Sequence, residues 1–242
     1  MRIPLKTILS YFVLLLSISV TAQDFQYFQW KKLTTESNTL KYKLPGNLYL
    51  FRSALRGSEF TTNDWSKGYL ILQNGDRYDS LSLRYNSFLE ELIMFNKETG
   101  ALIMLDKYAL SEFSMVGENG ETQIFRKIHF EKSPKKDIFL RILYEGKLTL
   151  MLRYKTIELA TSVYHDASGL LRSSELFLTE TYYLGLPGKG LIKFTPGRRF
   201  FIALFPGQKK AIKKLHRQNR LRYKSNENII KAVSLIETII PD

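Results

Sequence analysis

Three histidines, His129, His165 and His216, are the side chains best suited to metal binding or proton transfer, and no two stand at the short spacings that pair ligands on one helix or strand. The chain has no cysteine, which excludes zinc–thiolate, iron–sulfur and thiol chemistry. His165-Asp166 beside Ser168 brings together the residue types of a hydrolytic triad. The segment is nevertheless a glycine-terminated run of small polar residues, which reads as a turn, and the Gly-x-Ser-x-Gly elbow is absent. Glu90 and Glu91 are neighbours, so on a strand they point to opposite faces and cannot act as a carboxylate pair. The run GLPGKG at 185–190 lacks phosphate-loop spacing and is followed by Leu191 where a magnesium-binding hydroxyl would be needed. No motif here implies a catalytic centre, a metal or a cofactor.

Cations are the outlier. Residues 23–180 carry 21 basic and 20 acidic side chains, whereas residues 181–226 carry 12 basic and no acidic ones. Within that run Lys209, Lys210, Lys213, Lys214 and Arg217 occupy a broad face of a helix expected over 208–219, opposite Ala211, Ile212 and Leu215. Arg220, Arg222 and Lys224 extend the patch into the turn that follows. Eight cations with no acid nearby in sequence raise a positive local potential, which attracts polyanions or anionic surfaces. The competing reading is a solvated face whose charges pair with sheet acids such as Glu90, Glu91 or Glu112.

The elements that must position this patch follow from turn chemistry and periodicity. From residue 67 to 184, short apolar runs alternate with breaks at 74–76, 98–100, 117–120, 133–136, 145–146 and 165–169, the pattern of an antiparallel β domain. Asn74-Gly75 predicts a tight two-residue hairpin turn in which both residues tolerate positive φ. Alternation assigns one apolar face to each strand: Leu81, Leu83 and Tyr85; Ile124, Ile128 and Phe130; Ile138, Leu140, Ile142 and Tyr144; Leu148, Leu150, Leu152 and Tyr154; Leu176, Leu178, Tyr182 and Leu184. Beyond two Pro-Gly turns the period becomes helical. Helices are expected over 198–205, 208–219 and from a Ser225 cap to about residue 239, the last with an Ile229, Ile230, Val233, Ile236, Ile240 stripe.

Residues 1–22 read as a secretory signal. Arg2 and Lys6 precede a largely apolar stretch, Thr7 to Val20, of about 14 residues, fewer than the roughly 20 that span a bilayer, and Val20-Thr21-Ala22 offers a cleavage site. Without cysteine, lipoprotein anchoring is excluded. The organisation expected is therefore a leader at 1–22, a segment at 23–66 that docks on the body, with Phe25, Tyr27, Phe28 and Trp30 as anchors and an early strand at 49–51, an antiparallel β domain at 67–197, and a basic helical appendage at 198–242. The fold class is mainly β, either a sandwich or an open or half barrel, with a C-terminal α-helical appendage. A membrane barrel is disfavoured by the helical end and by cations on both candidate faces.

The run KGYLILQNGDRYDSLSLRYN at 67–86, followed by FTPGRRFFIALFPGQKKAIKKLHRQNRLRY at 194–223, resembles exported proteins common in Bacteroidota. The likeness extends from about Asn63 to Ile239 and rests on a strand ending in Arg84-Tyr85-Asn86 and on a basic LFPxxKKxIKK helix. It implies secretion and a β domain with a helical tail, and no particular activity. Taken alone, Arg84-Tyr85-Asn86 reads as structural, with Arg84 away from the apolar face and Asn86 closing a turn.

The function expected is that of an exported periplasmic or extracellular binding or scaffolding module of the cell envelope. Its partner would be an anionic envelope component or an envelope protein. Export argues against nucleic acid, and no segment after the leader is long and apolar enough for a transmembrane helix. A carrier of a lipid or small apolar ligand inside the β domain is the alternative, and a hydrolase ranks last. A filled interior favours the binding module; an apolar void of several hundred Å³ favours the carrier.

Overall fold

The computed structural model describes residues 44–50, 56–117, 119–130, 137–188 and 190–240. The leader, the aromatic anchors between Phe25 and Trp30, Phe51, and the turn expected at 133–136 lie outside the described residues.

Among the described residues eleven strands form one open antiparallel sheet: β1 Gly46–Leu48, β2 Ser66–Leu72, β3 Arg77–Asn86, β4 Glu91–Phe95, β5 Leu102–Leu105, β6 Leu110–Val116, β7 Thr122–His129, β8 Asp137–Glu145, β9 Thr149–His165, β10 Leu171–Leu186 and β11 Gly190–Phe194. Their order is β1-β5-β4-β3-β2-β6-β7-β8-β9-β10-β11, so the architecture is a single curled sheet and not a sandwich of two. The early strand lies at 46–48, ahead of Tyr49, and pairs with β5, so the sheet reaches back before residue 67. Three helices follow, α1 Arg198–Leu204, α2 Lys209–Gln218 and α3 Asn226–Glu237, with a single 3-10 turn at Pro206–Gln208 between the first two.

Curling is enforced by contacts between strands far apart in the sheet order. The Ser87–Glu90 turn after β3 reaches β9, although β2, β6, β7 and β8 lie between. There Ser87 Oγ and Thr156 Oγ1 are 2.7 Å apart and Thr156 N donates to the Ser87 carbonyl at 3.1 Å. Arg153 Nε donates to Glu90 at 2.8 Å, and Lys155 Nζ to the Phe88 carbonyl at 2.7 Å. These bonds satisfy the groups that form them and offset the cost of burying them, while the Tyr85 and Thr61 hydroxyls beside the seam are buried without a partner among the described residues.

The concave face is filled with aromatic rings. Phe113 and Phe125 are stacked at 4.7 Å, Phe139 meets Phe113 edge-on at 4.9 Å, and Tyr85 lies 5.5 Å from Phe125, all with at most 1% exposure. This corrects the expected faces of two strands. On β7 the inward residue is Phe125, while Ile124 and Ile128 are half-buried on the convex side. On β8 both faces are apolar, with Phe139 inward and Ile138 and Leu140 packed outward against Met151 and Tyr183. Leu178 is also exposed rather than buried, because β9 and β10 run on as a two-stranded ribbon past the end of β8. At the Asn74-Gly75 turn only Gly75 adopts positive φ (91°). Leu72 N bonds to the Asp76 carbonyl and Gly75 N to the Leu72 carbonyl, a longer loop than the two-residue turn expected.

Candidate functional site

The helical region is clamped to the concave face of β9–β11 by one apolar cluster. Leu148, Leu150, Leu184 and Phe194 of the sheet meet Phe201 of α1, Ile212 of α2, and Ile229, Val233 and Ile236 of α3. Ser225 caps α3, its hydroxyl accepting from Asn228 N, as its position before the helix predicts. At the other end of α3, Glu237 accepts from Tyr144 Oη at 2.7 Å and from Leu148 N at 2.9 Å, tying the helix to the β8–β9 turn. Gly146 permits this: a Cβ there would collide with the Glu237 carboxylate. The patch is thus carried on a docked platform.

All eight expected cations are exposed, with Lys209, Lys210, Lys213, Lys214 and Arg217 on α2 and Arg220, Arg222 and Lys224 in the segment that follows. Ile212 is 1% exposed on the opposite face, and Ala211 and Leu215 are half-buried. Among the described residues none of the eight forms an ion pair. The sheet acids proposed as their partners are engaged elsewhere or lack such a contact: Glu90 holds Arg153 and Lys155, and Glu112 holds Arg126. The solvated-and-paired reading therefore fails on the pairing.

Most of the charges also work against the helix that bears them, Arg217 in its last turn being the exception. Lys209 and Lys210 occupy the first turn of α2, which contains no acid, so two cations face the positive end of the helix dipole. Lys209–Lys213, Lys210–Lys214 and Lys213–Arg217 are like-charge pairs at i,i+4, each unfavourable by about 0.2–0.5 kcal/mol. At the C-terminus Leu221 N bonds to the His216 carbonyl at 3.2 Å and Arg220 N to the Arg217 carbonyl at 3.4 Å, a Schellman closure. Its left-handed position, φ 47°, is held by Arg220 where glycine is usual. A sequence selected for helix stability alone would carry acids first and glycine last.

One further cation, Arg198 at the start of α1, lies close enough to His216 and Tyr223 to act on both. Burial lowers the His216 pKa and the nearby Arg198 charge lowers it further; burial pushes the Tyr223 hydroxyl up to about 12 while Arg198 opposes that rise. The Tyr223 ring stacks on both His216 and Phe201. Arg198 is far from α2 in position number but folds beside its end, a placement that charge counting along the chain does not reveal.

The other candidates resolve into structure. Asp166 accepts from Ser168 N and Oγ, Leu170 N and Arg172 Nε, hydrogen bonds that hold its carboxyl well below the usual range, while His165 Nδ1 faces the Gly169 carbonyl at 3.0 Å. This is a turn, with no serine–histidine contact. His129 lies 2.7 Å from Asp137 across β7 and β8. Among the described residues no group of three or more His, Asp or Glu side chains is placed to hold a metal, and no helix is long and apolar enough to cross a membrane. Arg84 lies over the Phe60 ring at 4.0 Å and donates to the Thr62 carbonyl, and Asn86 Oδ1 accepts from Phe88 N and Leu89 N. Both therefore serve the turn and its packing. Comparison with protein-family models, curated proteins and solved structures gives no match to this chain.

Proposed function

We propose that this chain is an exported binding or scaffolding protein of the cell envelope, docking on an anionic component through α2 and the turn after it. The observation that carries this reading is a rigidly mounted face of eight exposed cations, without acid partners among the described residues and arranged at a cost to its own helix. Lipid phosphates and acidic glycans are the anions an exported protein meets. The apolar side of α2 is spent on the core through Ile212, so attachment is peripheral and electrostatic, not insertion of a greasy helix face. The aromatic filling of the concave face supports this reading over a lipid carrier.

Co-sedimentation with phosphatidylcholine vesicles, with and without phosphatidylglycerol, tests the proposal. The protein is expected to pellet only with the anionic vesicles and to be released by salt. The quadruple variant Lys209→Gln, Lys210→Gln, Lys213→Gln, Lys214→Gln should stay in the supernatant. Equal pelleting of both proteins would refute it.

A further inference from the structure

A second surface, on the convex side of β2–β4 and remote in sequence from the cations, has the chemistry of a ligand groove. A cavity of about 320 Å³ is lined by Asn63, Asp64, Trp65, Ser66 and Lys67, with Val116 at its wall. A second, of about 180 Å³, is lined by Ser80, Ser82, Phe95, Asn96, Lys97 and Glu98, with the buried Leu81 and Met94 beneath. The two adjoin. Lys67, Ser82 and Phe95 are consecutive cross-strand neighbours on β2, β3 and β4, and the Trp65 ring lies 5.7 Å from Phe95. Between the cavities, then, stands an aromatic pair flanked by hydroxyl, amide and carboxylate groups.

The backbone is distorted at the same place. The β2–β3 register shifts between Gly68 and Leu70, giving β3 an extra residue, and Ser80 beside it takes φ 59°. A bulge with a non-glycine residue in the left-handed region costs stability and re-aims side chains, and such features gather at binding sites.

We infer that this groove binds a short, uncharged oligosaccharide, laid across the strands with a sugar ring against Trp65. Asp64 and Glu98 are balanced by Lys67 and Lys97, so the lining has no net charge to select a polyanion. Trp65 is half-buried against the Tyr49, Phe60 and Ile93 cluster, and the part of its indole that lines the larger cavity supplies the apolar contact for a sugar ring while the surrounding polar groups meet its hydroxyls. An extended peptide is disfavoured, because β2, β3 and β4 are each paired on both sides and leave no strand edge to augment.

Isothermal titration of the purified protein with cellohexaose, laminarihexaose, maltohexaose and chitohexaose tests the site. At least one is expected to bind saturably and, unlike the vesicles, without loss at high salt. Trp65→Ala should weaken that binding about tenfold or more. Because Trp65 also packs on the sheet, the exposed Asn63→Ala and the groove-lining Ser82→Ala are the companion variants, each expected to weaken it several-fold with an unchanged melting temperature. Absence of binding by all four sugars overturns the inference. So does binding that the three substitutions leave intact, or binding of reduced, carboxymethylated insulin B chain in place of the sugars. None of these results bears on the basic face.

Discussion

Charges on the sheet and charges on the helices obey opposite rules. On the sheet most cations are matched: Arg126 reaches Glu112 and Glu145, Arg141 reaches Glu121, Arg153 and Lys155 share Glu90, and Arg172 holds Asp166, while Lys67, Arg84 and Lys193 have no such pair among the described residues. On α2 and the turn after it eight cations stand exposed with no such partner among the described residues. Paired charges of this kind orient strands and close seams; apart from Arg217, which suits the C-terminal end of the α2 dipole, the unpaired charges of one sign contribute mainly a field. On the proposed function, the difference separates a part of the molecule built for its own integrity from a part that faces a partner.

The largest effects belong to the interior that holds both regions. Phe113→Ala should cost about 3–5 kcal/mol and Leu150→Ala about 2–5 kcal/mol, since each empties a site with no exposure. Urea denaturation reads both. Losing Leu150 should also weaken vesicle binding, because Leu150 belongs to the cluster under the helices.

On the sheet, Glu90→Gln should cost about 2 kcal/mol by leaving Arg153 and Lys155 without their carboxylate in a partly buried seam. No single Lys→Gln change on α2 should cost anything measurable. A stability loss from Lys213→Gln equal to that from Glu90→Gln would erase the distinction.

Glu91 sharpens the comparison through pH. Burial, aided by Asp106 and Glu90 and opposed by Lys107, pushes its carboxyl up to about 7. The folded state therefore holds a proton that the unfolded chain releases near pH 4.5, and stability falls as pH rises from about 4.5 to about 7. Glu91→Gln should remove that part of the pH dependence and leave the protein about 1 kcal/mol more stable than wild type above pH 7. Thermal melts across this range measure it, and a variant that parallels wild type throughout would show that Glu91 keeps an ordinary pKa.

The smallest effect has an unusual sign. Lys209→Glu with Lys210→Glu places acids at the start of α2 and should raise stability by about 0.5–1 kcal/mol while weakening anion binding. Thermal melts at low salt read the first and vesicle sedimentation the second. A destabilised variant would mean that the two lysines hold the helix in place.

Much of this was legible in the sequence. The three helices, the Ser225 cap and the Asp166 turn follow from local chemistry, and the cation run is visible on inspection. The curl of the sheet is not, because Ser87–Thr156 and Glu90–Arg153 join residues more than sixty positions apart with no local signature. Nor is the inward face of β8, where IFLRIL is apolar at both parities and alternation has nothing to select on. The Trp65 groove escaped for a related reason: its residues come from three strands, and only register brings them together.

The most direct test of the account is the salt dependence of the dissociation constant for phosphatidylglycerol vesicles, compared among wild type, the four-glutamine variant and a control with Arg77→Gln and Arg126→Gln. The latter two cations are paired on the sheet. Wild type and control should lose affinity steeply and in parallel as salt rises, while the four-glutamine variant binds weakly and with a flattened slope. Equal slopes for wild type and the four-glutamine variant, or a slope lost in the control instead, would contradict the assignment of the helical face as the docking surface.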